Sequence, residues 1–406
     1  MRALDSWSAA IDARERALAV LYGVDLLALA ELQRTRRRLT TDAVDIWQAM
    51  AVGVVAPVLA GFAHWIAAQA GRHEHPVLLG VMREGRVLGR LLTALHEIPA
   101  AEIWVNRHCA MLAAFGCGDA TALVNWLART RVQPMTRAAA EALLGTPVPG
   151  DPAAVLDAAT AQILVDDNPG DWLGPVRVKA QALAARLLLH WRGIVPPDRP
   201  VLLLDFACAG NIQRALRTVL AAAGDTAPLV GLNFLMTRGS IWAERAGCVM
   251  QGFLAERGVP ELSAVPYART PELIEIFAAA PVGPLLDYGV DGTPQVGATF
   301  LTLAQQEFIG GLQARIITVA GAYHQLPDAL MHAALARCVL GRLLTQPTAE
   351  EVAALADWPI DGGLDGGAAR PLAPRLDPRL GNDPAVDTRA ATAWPVGSRV
   401  RAESGI

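Results

Sequence analysis

The chain has 406 residues, 53% of them hydrophobic and 18% charged, which supplies the core of one large domain or two ordinary ones and rules out wholesale disorder. Its net charge of −4 and isoelectric point near 6.1 exclude a general nucleic-acid binder, which needs a basic surface to displace counterions. The five cysteines (Cys109, Cys117, Cys208, Cys248 and Cys338) form no Cys-x-x-Cys pair and lack zinc-type partners, so the expectation is reduced thiols in a cytoplasmic protein and no metal site.

Residues 1–40 place Ala and Leu at helical spacing between alternating charges, with no apolar h-region of a secretory signal. The basic run RTRRR, Arg34–Arg38, reads as a solvated helix face rather than a nucleic-acid contact. From Ile46 to Gly71 no Asp, Glu, Lys or Arg occurs, and such a length can span a bilayer. Its apolar content is mostly Ala, Gly and Val, however, with Pro57, His64 and Gln69 inside, which favours a buried helix over membrane association.

The period then changes. Val77–Met82 is a short apolar run, Arg83-Glu84-Gly85 a polar turn, and Val87, Leu88, Leu91 and Leu92 share one side of a helix. A second strand is expected at Glu102–Asn106. Residues 119–198 read as a helical insertion interrupted at Thr146–Pro152. A second strand–turn–helix unit follows in VLLLDFACAGNIQRALRTVL, beginning at Val201, and Leu229–Met236 is a further strand. Helices dominate from Pro271 to Leu344. Strands alternating with helices give an α/β class with a mainly parallel sheet, Rossmann-like or phosphoribosyltransferase-like. The expected division is a helical segment over 1–40, a core over 41–345 and a Pro/Gly-rich, irregular surface tail over 346–406.

In such a sheet, ligands bind outside the carboxyl ends of the strands, where helix N-termini point unpaired N–H groups. Asp205 ends its strand and is the candidate catalytic group. Ala207, Ala209 and Gly210 are small enough for close backbone approach to a ligand, and Asn211 and Gln213 lie in the first helical turn, placed to cap it or to touch a bound group. Arg83, Glu84 and Gly85 follow the first strand, and Asn106 and Arg107 the second. Arg107 is suited to clamp a phosphate or carboxylate, and His108 to move a proton. The bland alternatives are a turn-organising Asp205, a surface Arg83–Glu84 pair and a core His108. Glu272 and Glu275 read as acidic residues complementing a helix dipole. No P-loop or G-x-G-x-x-G occurs, DFACAG matches a methyltransferase-type cofactor turn only weakly, and Ala207 removes the second aspartate that haloacid-dehalogenase phosphatases need.

In their order, APVLAGFAHWIAAQA, MREG (Met82–Gly85), NRHCA (Asn106–Ala110), DFACAGNIQ (Asp205–Gln213), LVGLNFL, ELIEIFAAAPVG, PTAEEVAALADW and AWPVG resemble a family from bacterial surface-polysaccharide and glycosyltransferase gene clusters. Members of that family often carry this region behind a haloacid-dehalogenase-like domain. That domain is missing over residues 1–45, so its phosphatase activity is not carried over. Glu84, His108 and Ala207 stand where the family has Asp, Arg and Gly. The layout is also similar to that of phosphoribosyltransferases. The resemblance implies a cytoplasmic protein that binds a phosphorylated sugar or nucleotide-sugar. Arg83 and Arg107 would meet anionic oxygens, and the turn after Asp205 would cradle a phosphate. The alternative it implies is a non-catalytic accessory protein that partners a glycosyltransferase or an export component. No cofactor is implied.

Overall fold

The computed structural model describes residues 2–128, 135–206, 209–324, 329–361, 369–375 and 392–406. The helices are α1 (Arg2–Ala19), α2 (Leu26–Leu39), α3 (Ile46–Met50), α4 (Ala56–Ala70), α5 (Gly85–His96), α6 (Arg107–Gly116), α7 (Ala120–Leu127), α8 (Arg137–Leu144), α9 (Ala158–Asp167), α10 (Leu173–Arg192), α11 (Asn211–Ala222), α12 (Ser240–Arg245), α13 (Glu261–Arg269), α14 (Glu272–Ala278), α15 (Leu303–Ala320), α16 (Ala329–Thr345), α17 (Ala349–Leu355) and α18 (Pro395–Ser404). The central strands are β1 (Val77–Val81), β2 (Ala101–Ile103), β3 (Val201–Asp205), β4 (Leu229–Asn233) and β5 (Val249–Gly252).

These five strands form one parallel sheet in the order β2-β1-β3-β4-β5, the α/β architecture expected from the sequence. The strands are continuous apolar runs because both faces are covered. Leu78, Leu202, Leu204, Val230 and Leu232 join the core on one face, beneath α4, α5 and α16. Leu79, Ile103, Val201, Leu203 and Leu229 join the core on the other, beneath α6, α10 and α11. The order reverses between β1 and β3, which makes the carboxyl ends of those two strands the topological switch point.

The turn after β1 requires its glycines. A Cβ on Gly85 would lie 2.3 Å from the Gly80 carbonyl carbon, so α5 starts directly on the backbone of β1. Helix–strand packing therefore accounts for the glycine at candidate site position 85.

The apolar stretch of the early chain is core. Ile46–Ala70 is one helical run, long and apolar enough to cross a membrane, and 89% of its apolar window is buried inside the protein. A π-helical turn over Ala51–Val55 separates α3 from α4. Small residues admit close neighbours: a Cβ on Gly61 would lie 3.2 Å from the Cβ of His332 on α16.

Two expectations at the chain ends are corrected. Arg34, Arg37 and Arg38 of the basic run are exposed as expected, but Arg36 is fully buried and ion-paired to Asp12 at 2.9 Å and Glu15 at 2.7 Å. Its packing partner is Gly53, where a Cβ would lie 2.9 Å from the Arg36 Cγ. The described part of the tail is not an irregular surface segment either. α17 opens with a Thr348–Glu351 capping box, Glu351 pairs with the buried Arg342, and Ile360, Leu372 and Trp394 enter the main core. Residues 362–368 and 376–391 of the tail lie outside the described residues.

Candidate functional site

At the switch point, β1 runs into Met82, whose N–H still donates to the Ile103 carbonyl oxygen at 3.0 Å, and then into Arg83 and Glu84. The Met82–Arg83 peptide is cis. The Arg83 carbonyl accepts from the Ala280 N–H at 3.1 Å, which ties this turn to the segment after α14. The Arg83 N–H donates to Glu84 Oε2 at 3.2 Å.

Around this turn lie two adjoining lobes of about 200 Å³ and about 180 Å³ that share Arg83 and Asp361. The larger lobe is lined by Glu272, Glu275, Ile276 and Trp358, and the smaller by Glu84, Trp104, Asn106 and Pro284. Burial, and after it the negative charge of Glu275, pushes Glu84 up to about 7, with Arg83 opposing the rise and Asp205 adding to it. Asp205 follows Leu204, the partner of Gly80 in the β1–β3 pairing, and so ends the strand next to this turn, but it lines neither lobe. A carboxyl poised near neutrality beside a guanidinium is equipped to give and take a proton at physiological pH.

The other predicted residues divide. Asn106 lines the smaller lobe, but its Oδ1 accepts from the Cys109 N–H at 2.8 Å and its Nδ2 donates to the Leu285 carbonyl at 2.7 Å. It caps α6 and anchors the loop that walls the lobe. Arg107 is exposed at the first position of α6 and lines neither lobe. His108 Nδ1 accepts from the Trp126 indole N–H at 3.1 Å, which seats it against α7 and away from the cleft.

At the second turn, Gly210 adopts φ +71°, and a Cβ there would lie 2.5 Å from the Met250 Cε. Its smallness serves packing against β5 rather than a ligand. Gln213 is buried, with Nε2 donating to the carbonyls of Leu229 at 3.1 Å and Val249 at 2.9 Å, so it staples β4 to β5 instead of reaching a bound group. Asn211 opens α11, partly exposed. Ala207 and Cys208 lie outside the described residues. Neither α5 nor α11 has a side-chain cap, so two helix starts flank the switch point with backbone N–H groups not spent on capping.

Sequence reasoning missed Glu275 and Asp361 as members of the cleft. Glu275 carried a dipole-complementing pattern that masks any other role, and Asp361 falls in a stretch whose composition reads as tail. With Glu84 and Glu272 they give the two lobes more carboxylate than guanidinium, where an anion-accepting hollow was expected. In comparisons with known proteins, no family model and no curated sequence matches the chain.

Proposed function

We propose that the cleft at the carboxyl ends of β1 and β3 binds a phosphorylated sugar or nucleotide-sugar in a cytoplasmic step of bacterial surface-polysaccharide synthesis. The observation that carries this reading is the position of Arg83 and Glu84 on the cleft and of Asp205 at the end of the neighbouring strand, between two helix starts without side-chain caps. In that arrangement Arg83 meets a phosphate oxygen in a charge-assisted bond, and the helix N–H groups share the remaining negative charge. The surplus of carboxylates suits a ligand that arrives as its magnesium complex, since Mg²⁺ is held by one or two carboxylates together with substrate phosphates. Asp205 then faces the ion or a sugar hydroxyl. Glu84, half protonated near pH 7, exchanges a proton with a hydroxyl or with the departing phosphate.

Calorimetric titration with glucose 1-phosphate and with uridine diphosphate glucose, each with and without Mg²⁺, tests this. The expectation is binding that strengthens with Mg²⁺ and weakens more than about tenfold in Arg83→Ala and Asp205→Ala, the loss of one charge-assisted contact. Binding unchanged in both variants, with circular dichroism intact, refutes the reading.

A second reading is favoured by one surface feature. Val20, Leu21, Leu26 and Leu27 at the α1–α2 turn are 84%, 60%, 58% and 81% exposed, an apolar tip suited to a protein partner. On this reading the chain is an accessory protein of a glycosyltransferase or export component. Co-purification of such a partner that survives Asp205→Ala but is lost in Leu27→Asp supports it; retention in Leu27→Asp counts against it.

A further inference from the structure

Half of the chain's eight histidines meet in one place, remote from the cleft. His64 lies in the middle of α4, His96 is the last residue of α5, His324 follows the short turn after α15, and His332 lies on α16. Ring centroids stand 5.5 Å apart for His64–His96, 5.1 Å for His64–His324, 4.6 Å for His96–His324 and 4.6 Å for His64–His332. One nitrogen from each of His64, His96 and His324 lies within 4.8 Å of the other two. Because α5 starts at the cleft and ends at His96, a rise of 1.5 Å per residue puts the cluster about 17 Å along that helix from Gly85.

We propose that His64, His96 and His324 form a binding site for a borderline divalent transition-metal ion, zinc foremost. Three arguments carry it. A tetrahedral zinc with bonds of about 2.0–2.1 Å needs its nitrogens about 3.4 Å apart, which modest side-chain rotations reach from the present spacing. His96 Nε2 and His324 Nδ1 are buried without a hydrogen-bond partner among the described residues. A buried imidazole nitrogen without a partner destabilises the fold, and a metal ion on its lone pair removes that cost. The donor set is imidazole only, which suits zinc, cobalt, nickel or copper and not the oxygen-seeking magnesium or calcium.

The three ligands leave a fourth position for solvent or for His332. His332 also lines a cavity of about 340 Å³ with Tyr323 and Glu31. An ion here joins α4, α5, the turn after α15 and, through His332, α16, so it clasps the helical layer at the end remote from the switch point.

The test is titration of metal-stripped protein with Zn²⁺ against a chromophoric chelator, with Co²⁺ as a spectroscopic substitute. The proposal expects one ion per chain, and the intense visible absorption of tetrahedral Co²⁺ rather than the weak bands of an octahedral surface ion. It also expects melting to rise by about 4 °C at a hundredfold excess of Zn²⁺ over its dissociation constant. His96→Ala weakens Zn²⁺ binding at least about 30-fold, and the double variant His73→Ala/His75→Ala, which removes a pair of histidines elsewhere, leaves it unchanged. No stoichiometric binding, an octahedral Co²⁺ spectrum, or equal affinity in His96→Ala overturns the proposal. Should His96→Ala fail to fold, His324→Gln and the wild-type Co²⁺ spectrum decide it on the same criteria.

Discussion

Replacing Arg36 by Ala is expected to destabilise the protein by about 3–5 kcal/mol, the cost of leaving buried charges without their partner. The magnitude follows from the completeness of the network. Arg36 Nη1 donates to Asp12 Oδ1 at 2.9 Å and to Glu15 Oε2 at 2.8 Å, Nη2 donates to Glu15 Oε1 at 2.7 Å, and Nε donates to the Gly53 carbonyl at 2.7 Å. Burial works against the Arg36 charge, yet the Glu15 and Asp12 carboxylates outweigh it and hold the guanidinium more firmly protonated than usual. Truncation removes the ion pair of buried Glu15, which keeps the Gln33 amide at 3.2 Å, leaves Asp12 with Arg37 at 2.9 Å, and frees a carbonyl of the π-helical turn. Urea unfolding of Arg36→Ala checks the loss, and a combined Arg36→Met/Asp12→Leu/Glu15→Leu variant discriminates the cause. If the lost ion pairing is responsible, the apolar triple variant is more stable than the single one. If it is no more stable, lost packing is the source.

The second large effect depends on pH. The folded state raises Glu84 from an ordinary 4.5 to about 7, so it binds a proton more tightly than the unfolded chain does. The stabilising contribution of that proton is fully present below about pH 4.5. It declines as pH rises through the interval and is lost above about 7, where an ionised Glu84 faces Glu275 and Asp205. Glu84→Gln removes the titrating group. Relative to its stability at pH 4.5, the variant should therefore gain on the wild type by about 3 kcal/mol at pH 8, the free-energy equivalent of the shift. Denaturant melts of both proteins at the two pH values check this. A difference that does not change between pH 4.5 and 8 shows that Glu84 titrates normally.

The sheet was legible where strands are long and covered on both faces. VLLGV, VLLLD and LVGLN are uninterrupted apolar runs because helices pack on either side, and each turn that ends them carries glycine or charge. The second strand was found with its centre displaced, Ala101–Ile103 against Glu102–Asn106, because Asn106 belongs to the cap of α6. VMQG in β5 was passed over: it is an edge strand with Val249 exposed, and so lacks the continuous apolar signature.

Arg83 and Glu84, which line the cleft, and Asp205, at the end of the neighbouring strand, stood out because strand ends next to small-residue turns are local features. Gln213, Gly210 and Gly85 also stood out locally, but the same letters serve packing and hydrogen bonding to strands, and only tertiary contacts separate those uses. Glu275 and Arg36 illustrate the limit from the other side. A glutamate at a helix start and an arginine in a basic run each satisfy a local rule, so nothing in their neighbourhoods marks the distant charges they meet. The four histidines come from four separate elements, with none of the short spacings by which metal ligands are recognised.

The central claim is that the ends of β1 and β3 open onto one ligand cleft. Its most direct measurement is a crystal structure of the protein soaked with uridine diphosphate glucose and Mg²⁺. The account predicts phosphate density in contact with Arg83 and within reach of Asp205, between the starts of α5 and α11. Ligand density confined to another surface, or a cleft closed by side chains at saturating ligand, contradicts it.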